Sequence, residues 1–312
     1  MIDIGGTRIL VTGGSGFIGC NLLPALLTRN AEVHVIVREK SNLSRIREVI
    51  PGITLYRHNL CDGRGTARLL RSINPEFIFH LAKTGGRPDD DPVKVFKTNV
   101  TGTFALLQAA REAGCRSLIH FGSSTEYGPK KRAMKEDDVL DPATFYGASK
   151  AAASLLVQSY AKKHIVHATI LRLFGVYGCW DAPWRLIPTA IRAALNGEEL
   201  TMTPPGYRRD WLFVEDVVDA SLLALESRTP SGSVINIGSG RDVTHEHVVK
   251  TIERLVGKQI RLRKGAYPPR VWDVTCWRAD TRNAERLLRW RPKHTLRSGL
   301  EKTISWTLNH LS

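Results

Sequence analysis

The sequence predicts an α/β fold built on a doubly wound parallel sheet, and three observations carry that prediction. Short β-branched runs alternate with longer helical stretches through the first half of the chain, the pattern of a parallel sheet with helices on both faces. A glycine-rich turn joins the first strand to the first helix. The composition, 42% hydrophobic and 24% charged over 312 residues, is that of a globular chain and excludes a disordered tract, a collagen or a coiled coil.

Residues 8–12 read as the first strand and 17–29 as the helix that follows it. Residues 32–37 are a second strand and 54–57 a weaker third. A helix over 66–73 leads to a fourth strand over 77–81. Residues 93–113 carry apolar side chains at helical spacing and stop at Gly114, a suitable C-terminal cap, so one long helix is expected there. A fifth strand over 117–121, a helix over 147–163 and a strand over 167–173 follow. The long helices beginning near Val93 and Gly147 could also supply a dimer face; burial against the sheet is the simpler reading.

After Leu173 the pattern loosens. Residues 178–188 and 203–209 are rich in Pro, Gly, Trp and Arg, and no element is assigned there. A helix over 216–226 and a strand over 233–237 return to the main sheet, and further helices are expected over 245–256 and 297–308. The division expected is a nucleotide-binding domain over 1–174 with 210–240 returning to it, and a smaller C-terminal α/β substrate domain from 175–209 and 241–312.

Five cysteines (Cys20, Cys61, Cys115, Cys179 and Cys276) are odd in number, widely spaced and without a CxxC. Reduced thiols in the cytoplasm are expected, with no disulfide framework and no metal site. The beginning of the chain has no charged-then-apolar signal region, and no apolar run nears the roughly 18 residues that span a bilayer, so neither export nor a membrane is expected. The formal charge of +15 suits anionic partners such as nucleotides, phosphorylated sugars or nucleic acid. The charges are spread along the chain, so a solvated basic surface explains most of them.

The turn after the first strand reads Gly13-Gly14-Ser15-Gly16-Phe17-Ile18-Gly19. A sharp exit from the strand, close approach of a diphosphate and tight helix packing each favour a missing Cβ. Free N–H groups at the helix start would then face phosphate oxygens. Strand, loop and helix stand in the order a Rossmann-type dinucleotide site requires. The second strand ends in Arg38 and Glu39. An arginine there suits the extra phosphate of NADP, and an acid the ribose of NAD, so NADP is expected with NAD as the alternative. Asn59 fits an adenine edge or a simple turn.

Tyr146 and Lys150 are four apart at the start of a helix and share a face. A nearby ammonium would lower the phenol toward working pH and make Tyr146 a general acid or base. By itself the pair could be a surface Tyr and Lys. Upstream, however, a strand ends in Gly122-Ser123-Ser124-Thr125-Glu126-Tyr127-Gly128, which places hydroxyls at the carboxyl edge of the sheet, where ligands gather.

With glycine loop, serine strand-end and Tyr-Lys helix in this order, the chain resembles the extended short-chain dehydrogenase/reductases, within them the nucleotide-sugar epimerase, dehydratase and ketoreductase branch. Residues 78–82 (IFHLA), 98–103 (TNVTGT), 171–178 (LRLFGVYG), 209–218 (RDWLFVEDVV) and 236–240 (NIGSG) extend the likeness over nearly the whole chain. The resemblance implies Ser123, Tyr146 and Lys150 as catalytic residues, with Ser124 the near alternative to Ser123. It implies Gly13, Gly16, Phe17, Ile18, Arg38, Asn59, Leu60, Leu81 and Lys150 at the cofactor, with a backbone contact near Phe174. It implies Ser124, Glu126, Asn99, Arg209 and Arg278 at a nucleotide-sugar substrate, the arginines gripping its diphosphate; for Arg278 a salt bridge between domains is equally open.

Four positions depart from the branch. Gly175 stands where an asparagine is usual, Phe145 and Cys179 where prolines are usual, and Lys83 where an alanine is usual. Ser124 and Thr125 occupy the places of the Asp-Glu pair that 4,6-dehydratases use to eliminate water, and Glu126 resembles the strand-end acid of some 4-keto-6-deoxy sugar reductases. The leading expectation is therefore NADP(H)-dependent reduction of a nucleotide-linked 4-keto-6-deoxy sugar by a homodimer. An NAD-dependent nucleotide-sugar 4-epimerase is the alternative. A non-catalytic nucleotide- or RNA-binding module is the alternative from another class, which the Tyr-Lys pair argues against.

Overall fold

A sheet of seven strands positions everything else. The computed structural model describes residues 3–87, 89–227, 229–266 and 273–310. In chain order the elements are β1 (Arg8–Thr12), α1 (Phe17–Leu27), β2 (Glu32–Val37), β3 (Ile53–Arg57), α2 (Gly63–Ile73), β4 (Phe77–His80), α3 (Pro92–Phe96), α4 (Gly102–Glu112), β5 (Ser117–Ser123), α5 (Phe145–Lys162), β6 (Ala168–Leu173), β7 (Gly175–Tyr177), α6 (Leu186–Asn196), β8 (Glu199–Thr201), β9 (Arg208–Phe213), α7 (Val214–Glu226), β10 (Ser233–Ile237), β11 (Asp242–Thr244), α8 (His245–Val256), β12 (Arg261–Arg263), α9 (Arg282–Leu288) and α10 (Leu296–His310).

The large sheet runs β10-β6-β5-β4-β1-β2-β3, and every neighbouring pair is parallel. Ile9, Leu10 and Val11 of β1 have no solvent exposure, as expected for a strand covered on both faces. The chain winds from β1 outward to β3 and then crosses back to β4. That reversal opens a crevice beyond the carboxyl ends of β1 and β4, the place where such sheets bind ligands.

A smaller unit lies beyond. Its β7 pairs in parallel with β9, β11 pairs antiparallel with β9, and β8 pairs in parallel with β12. Residues 210–213, expected in the segment returning to the main sheet, belong to β9 of this smaller sheet; the return begins with α7. Asp210, fully buried, ties the units together. Its carboxylate accepts from Ser239 N (2.7 Å), Ser239 Oγ (2.6 Å), Gly240 N (3.0 Å) and Ala279 N (3.0 Å). Among the described residues no helix is long and apolar enough to cross a membrane.

Two elements differ from the sequence reading. The single helix expected over 93–113 is broken into α3, a π turn over Lys97–Thr101 and α4. The cause is Asn99, whose side chain turns inward: its amide donates to Thr84 O (2.8 Å) and Ser149 Oγ (2.9 Å), and its oxygen accepts from Thr84 N (2.8 Å). One π turn is the ordinary way a helix admits such an insertion. The segment over 178–188, given no element by the sequence, runs into α6, whose first turn contains Pro188 and whose N-cap, Arg185, makes no side-chain cap. Proline is tolerated in a first turn, so it was no barrier to that helix.

Candidate active site

A cavity of about 1590 Å³ runs along the crevice from the glycine turn, past the end of β5, to the smaller unit. Gly13, Gly16, Phe17 and Ile18 line one end. Gly13 has φ of +76°, and a Cβ there would lie 2.7 Å from Ala82 N, so only glycine fits. Helix α1 begins at Phe17 with Gly16 as an uncapped N-cap and no acid in its first turn. Its free N–H groups and its positive end suit a diphosphate, which is the fit a dinucleotide requires.

Arg38, Asn59, Leu60, Leu81 and Phe174 also line the cavity. The exposed Arg38 guanidinium reaches across to Thr84 Oγ1 at 3.5 Å. Asn59 closes a turn, its side-chain oxygen accepting from Cys61 N at 3.1 Å.

At the far end of β5, Ser123 caps a short turn over Ser124–Glu126. Its Oγ accepts from Thr125 N (3.2 Å) and shares a hydrogen bond with Thr125 Oγ1 (2.8 Å). Thr144 caps α5 by accepting from Gly147 N (2.9 Å), which sets Tyr146 in the first turn and Lys150 one turn later on the same face. Ser123, Tyr146 and Lys150 therefore meet on one cavity wall.

The electrostatics differ from expectation. Burial pushes Lys150 down to about 8, the charge of Lys83 adding to the effect and Glu126 opposing it. The Tyr146 phenol, expected below its usual value, is instead pushed up to about 12 by burial and by the charge of Glu126; the Ser123 hydroxyl and Arg185 offset this in part. Desolvation of the phenolate outweighs the help of neighbouring cations. The Lys83 ammonium stands over the ring, its Nζ 5.1 Å from the centroid.

Ser124 and Arg209 line the substrate end. Trp277 Nε1 donates to Ser124 Oγ (2.9 Å), and the Arg209 guanidinium lies 4.5 Å from the Trp277 ring centre. Three expected substrate residues lie off the cavity wall. Asn99 is buried in the π turn. Arg278 lies behind the wall, its carbonyl accepting from Met134 N (2.8 Å). Glu126 is fully buried and committed to the protein: it accepts from Arg172 Nε (2.7 Å), Ser123 N (2.7 Å) and Ser154 Oγ (3.0 Å).

Sequence reasoning missed Arg185, which lies in a segment given no element. Its Nη1 donates to Val176 O (2.8 Å) and Asp181 Oδ1 (2.9 Å) at the cavity edge. It registered Lys83 only as a departure, and that unusual residue was the available signal. Gly175 has a packing reason, since a Cβ there would lie 2.5 Å from Asp210 O. Among the described residues no cluster of His, Cys, Asp and Glu could hold a metal ion.

Known proteins share this architecture. The NAD dependent epimerase/dehydratase family matches residues 9–238. UDP-glucose 4-epimerase of Mycolicibacterium smegmatis is 31% identical over 97% of this chain and 99% of its own. dTDP-glucose 4,6-dehydratase of Neisseria meningitidis is 30% identical over 97% of this chain and 94% of its own. The structure of Thermus thermophilus UDP-glucose 4-epimerase in complex with NAD superposes with a TM-score of 0.86 at 28% identity, covering 96% of this chain and 98% of that one.

Two outcomes follow from the charges. Glu126→Ala leaves Arg172 buried without its carboxylate and is expected to cost about 3–5 kcal/mol in urea denaturation; a loss below about 1 kcal/mol would contradict the pairing. The lowered Lys150 value means that holding the ammonium in the fold is unfavourable below pH 8. This cost fades as pH rises from about 8 toward the unfolded value of 10.5. Lys150→Met is therefore expected to raise the melting temperature of the ligand-free protein at pH 7, by an increment that shrinks above pH 8. An increment that grows with pH would reverse the assignment.

Proposed function

The chain belongs to the NAD-dependent epimerase/dehydratase family, and from that premise we propose that it is a nucleotide-sugar 4-epimerase, which oxidises a sugar carbinol and reduces it again from the other face in one cleft. The observation that carries this reading is the meeting of Ser123, Tyr146 and Lys150 on the wall of the cavity that also holds the glycine cradle, with Ser124 and Thr125 where a dehydratase would carry its acid pair.

When bound in the cradle, a nicotinamide dinucleotide supplies the acceptor and donor of hydride. The chain's own residues handle the proton. Tyr146 takes it from the sugar hydroxyl and returns it, and the Ser123 hydroxyl donates to the same oxygen. Lys150 favours the phenolate with its charge and suits the cofactor ribose. A phenol pushed up to about 12 is a poor base, so positive charge brought beside it is part of its activation.

The reading as a 4-keto sugar reductase loses one support, because the carboxylate of Glu126 is engaged by Arg172 and Ser154. NAD is supported by the family and by the Thermus thermophilus relative. The observation favouring NADP is Arg38, exposed at the cavity where a 2′-phosphate would be met.

Tyr146→Phe is expected to reduce interconversion of UDP-glucose and UDP-galactose by about 10²–10⁴-fold while leaving cofactor affinity in place. The reading fails if wild-type protein consumes reduced cofactor stoichiometrically on a nucleotide-linked 4-keto sugar and interconverts no epimers. Arg38→Asp is expected to weaken NADP binding at least about tenfold relative to NAD. An unchanged ratio of dissociation constants would remove Arg38 from cofactor choice.

A further inference from the structure

The cavity wall around Tyr146 holds more positive charge than the proton chemistry uses. Arg185, on that wall, is matched by Asp181 at hydrogen-bond distance. Lys150 has its place in the proton chemistry. Lys83 remains. Among the described residues it makes no ion pair, and its ammonium donates one hydrogen bond, to Gly85 O at 2.7 Å. Asp90 is the carboxylate acting on it, and Asp90 accepts from Arg87 N. Lys83 nevertheless lines the cavity beside the Tyr146 ring, and Arg185 lines it too. Lys83 is exposed to the cavity with Arg185 on the same wall, so an anion entering here meets two positive charges.

The position narrows the anion. The cofactor diphosphate has its own cradle at Gly13 and the start of α1. The group met by Lys83 lies beside the phenol that handles the sugar proton, and so belongs to the sugar ring itself.

We propose that Lys83, backed by Arg185, is a carboxylate subsite beside Tyr146, and that the enzyme takes a nucleotide-linked hexuronic acid in preference to the neutral hexose. This inference rests on the nucleotide-sugar reading above. A charge-assisted hydrogen bond to a carboxylate accounts for a preference of about 10–100-fold.

The test uses the full-length protein loaded with NAD and compares kcat/KM for UDP-glucuronate and UDP-glucose in wild type, Lys83→Met and Lys83→Arg. Wild type is expected to favour the uronate at least about tenfold. In Lys83→Met the ratio should fall toward one, mainly through the KM for the uronate, and Lys83→Arg should restore most of it. Equal use of both sugars by wild type, or a ratio unmoved in Lys83→Met, overturns the subsite and leaves the epimerase reading standing. A ratio unmoved together with weaker NAD binding assigns Lys83 to a cofactor phosphate and likewise overturns it. If wild type binds neither sugar nucleotide, the subsite and the nucleotide-sugar reading fall together.

Discussion

One buried carboxylate organises the reacting end of the cleft. Glu126 reaches back to the N–H of Ser123, pairs with Arg172 on β6 and accepts from Ser154 on α5. Three elements that meet only through tertiary structure are thereby fixed against one another, and they carry Ser123, Tyr146 and Lys150. Arg172 extends the network. Its Nη1 donates to Tyr127 Oη (2.9 Å), whose hydroxyl donates to Asn236 Oδ1 (2.7 Å) on β10. A carboxylate so placed is costly to bury and is tolerable only because its oxygens are met by donors, one of them charged. Its field extends further: it opposes the loss of charge on Lys150 and resists ionisation of Tyr146. The same group that fixes the geometry thus also sets the resting protonation of the pair.

The other constraint is topological. A parallel sheet that reverses direction between β1 and β4 must leave a crevice at that point, and the glycine turn opens into it because β1 ends there. The end of β5 lies one strand beyond β4, so the strand-end hydroxyls come within one cavity of the glycine cradle. The smaller unit closes that cavity from the far side, and the buried Asp210 carboxylate is the joint, bridging β9 to residues 239, 240 and 279.

Much of this was legible in the sequence. The βαβ alternation and the glycine turn were readable because the strands of the large sheet carry short apolar runs, such as Ile9-Leu10-Val11 and Phe77-Ile78-Phe79, and Gly13 has a local steric reason. Ser123, Tyr146 and Lys150 were readable because helical spacing and a strand end place side chains without help from distant contacts. Asn99 and Glu126 were read as facing a ligand because their positions matched, yet the structure also gives each side chain partners elsewhere in the chain, and such pairing leaves no local trace. The π turn at residues 97–101 is hidden likewise, since the inward bond of Asn99 to Ser149 spans 50 residues.

The direction of the Tyr146 shift carries the same lesson into chemistry. Spacing of four residues shows that an ammonium is near, but the acidity of a phenol depends on the balance of all charges and on lost water. Here burial and Glu126 dominate, and the Ser123 hydroxyl and Arg185 offset them only in part. With this balance Tyr146 keeps its proton near neutral pH, and Lys150, at about 8, is mostly charged there. Ligands that fill the cleft change both sides of the balance, removing water and bringing their own charges beside the ring.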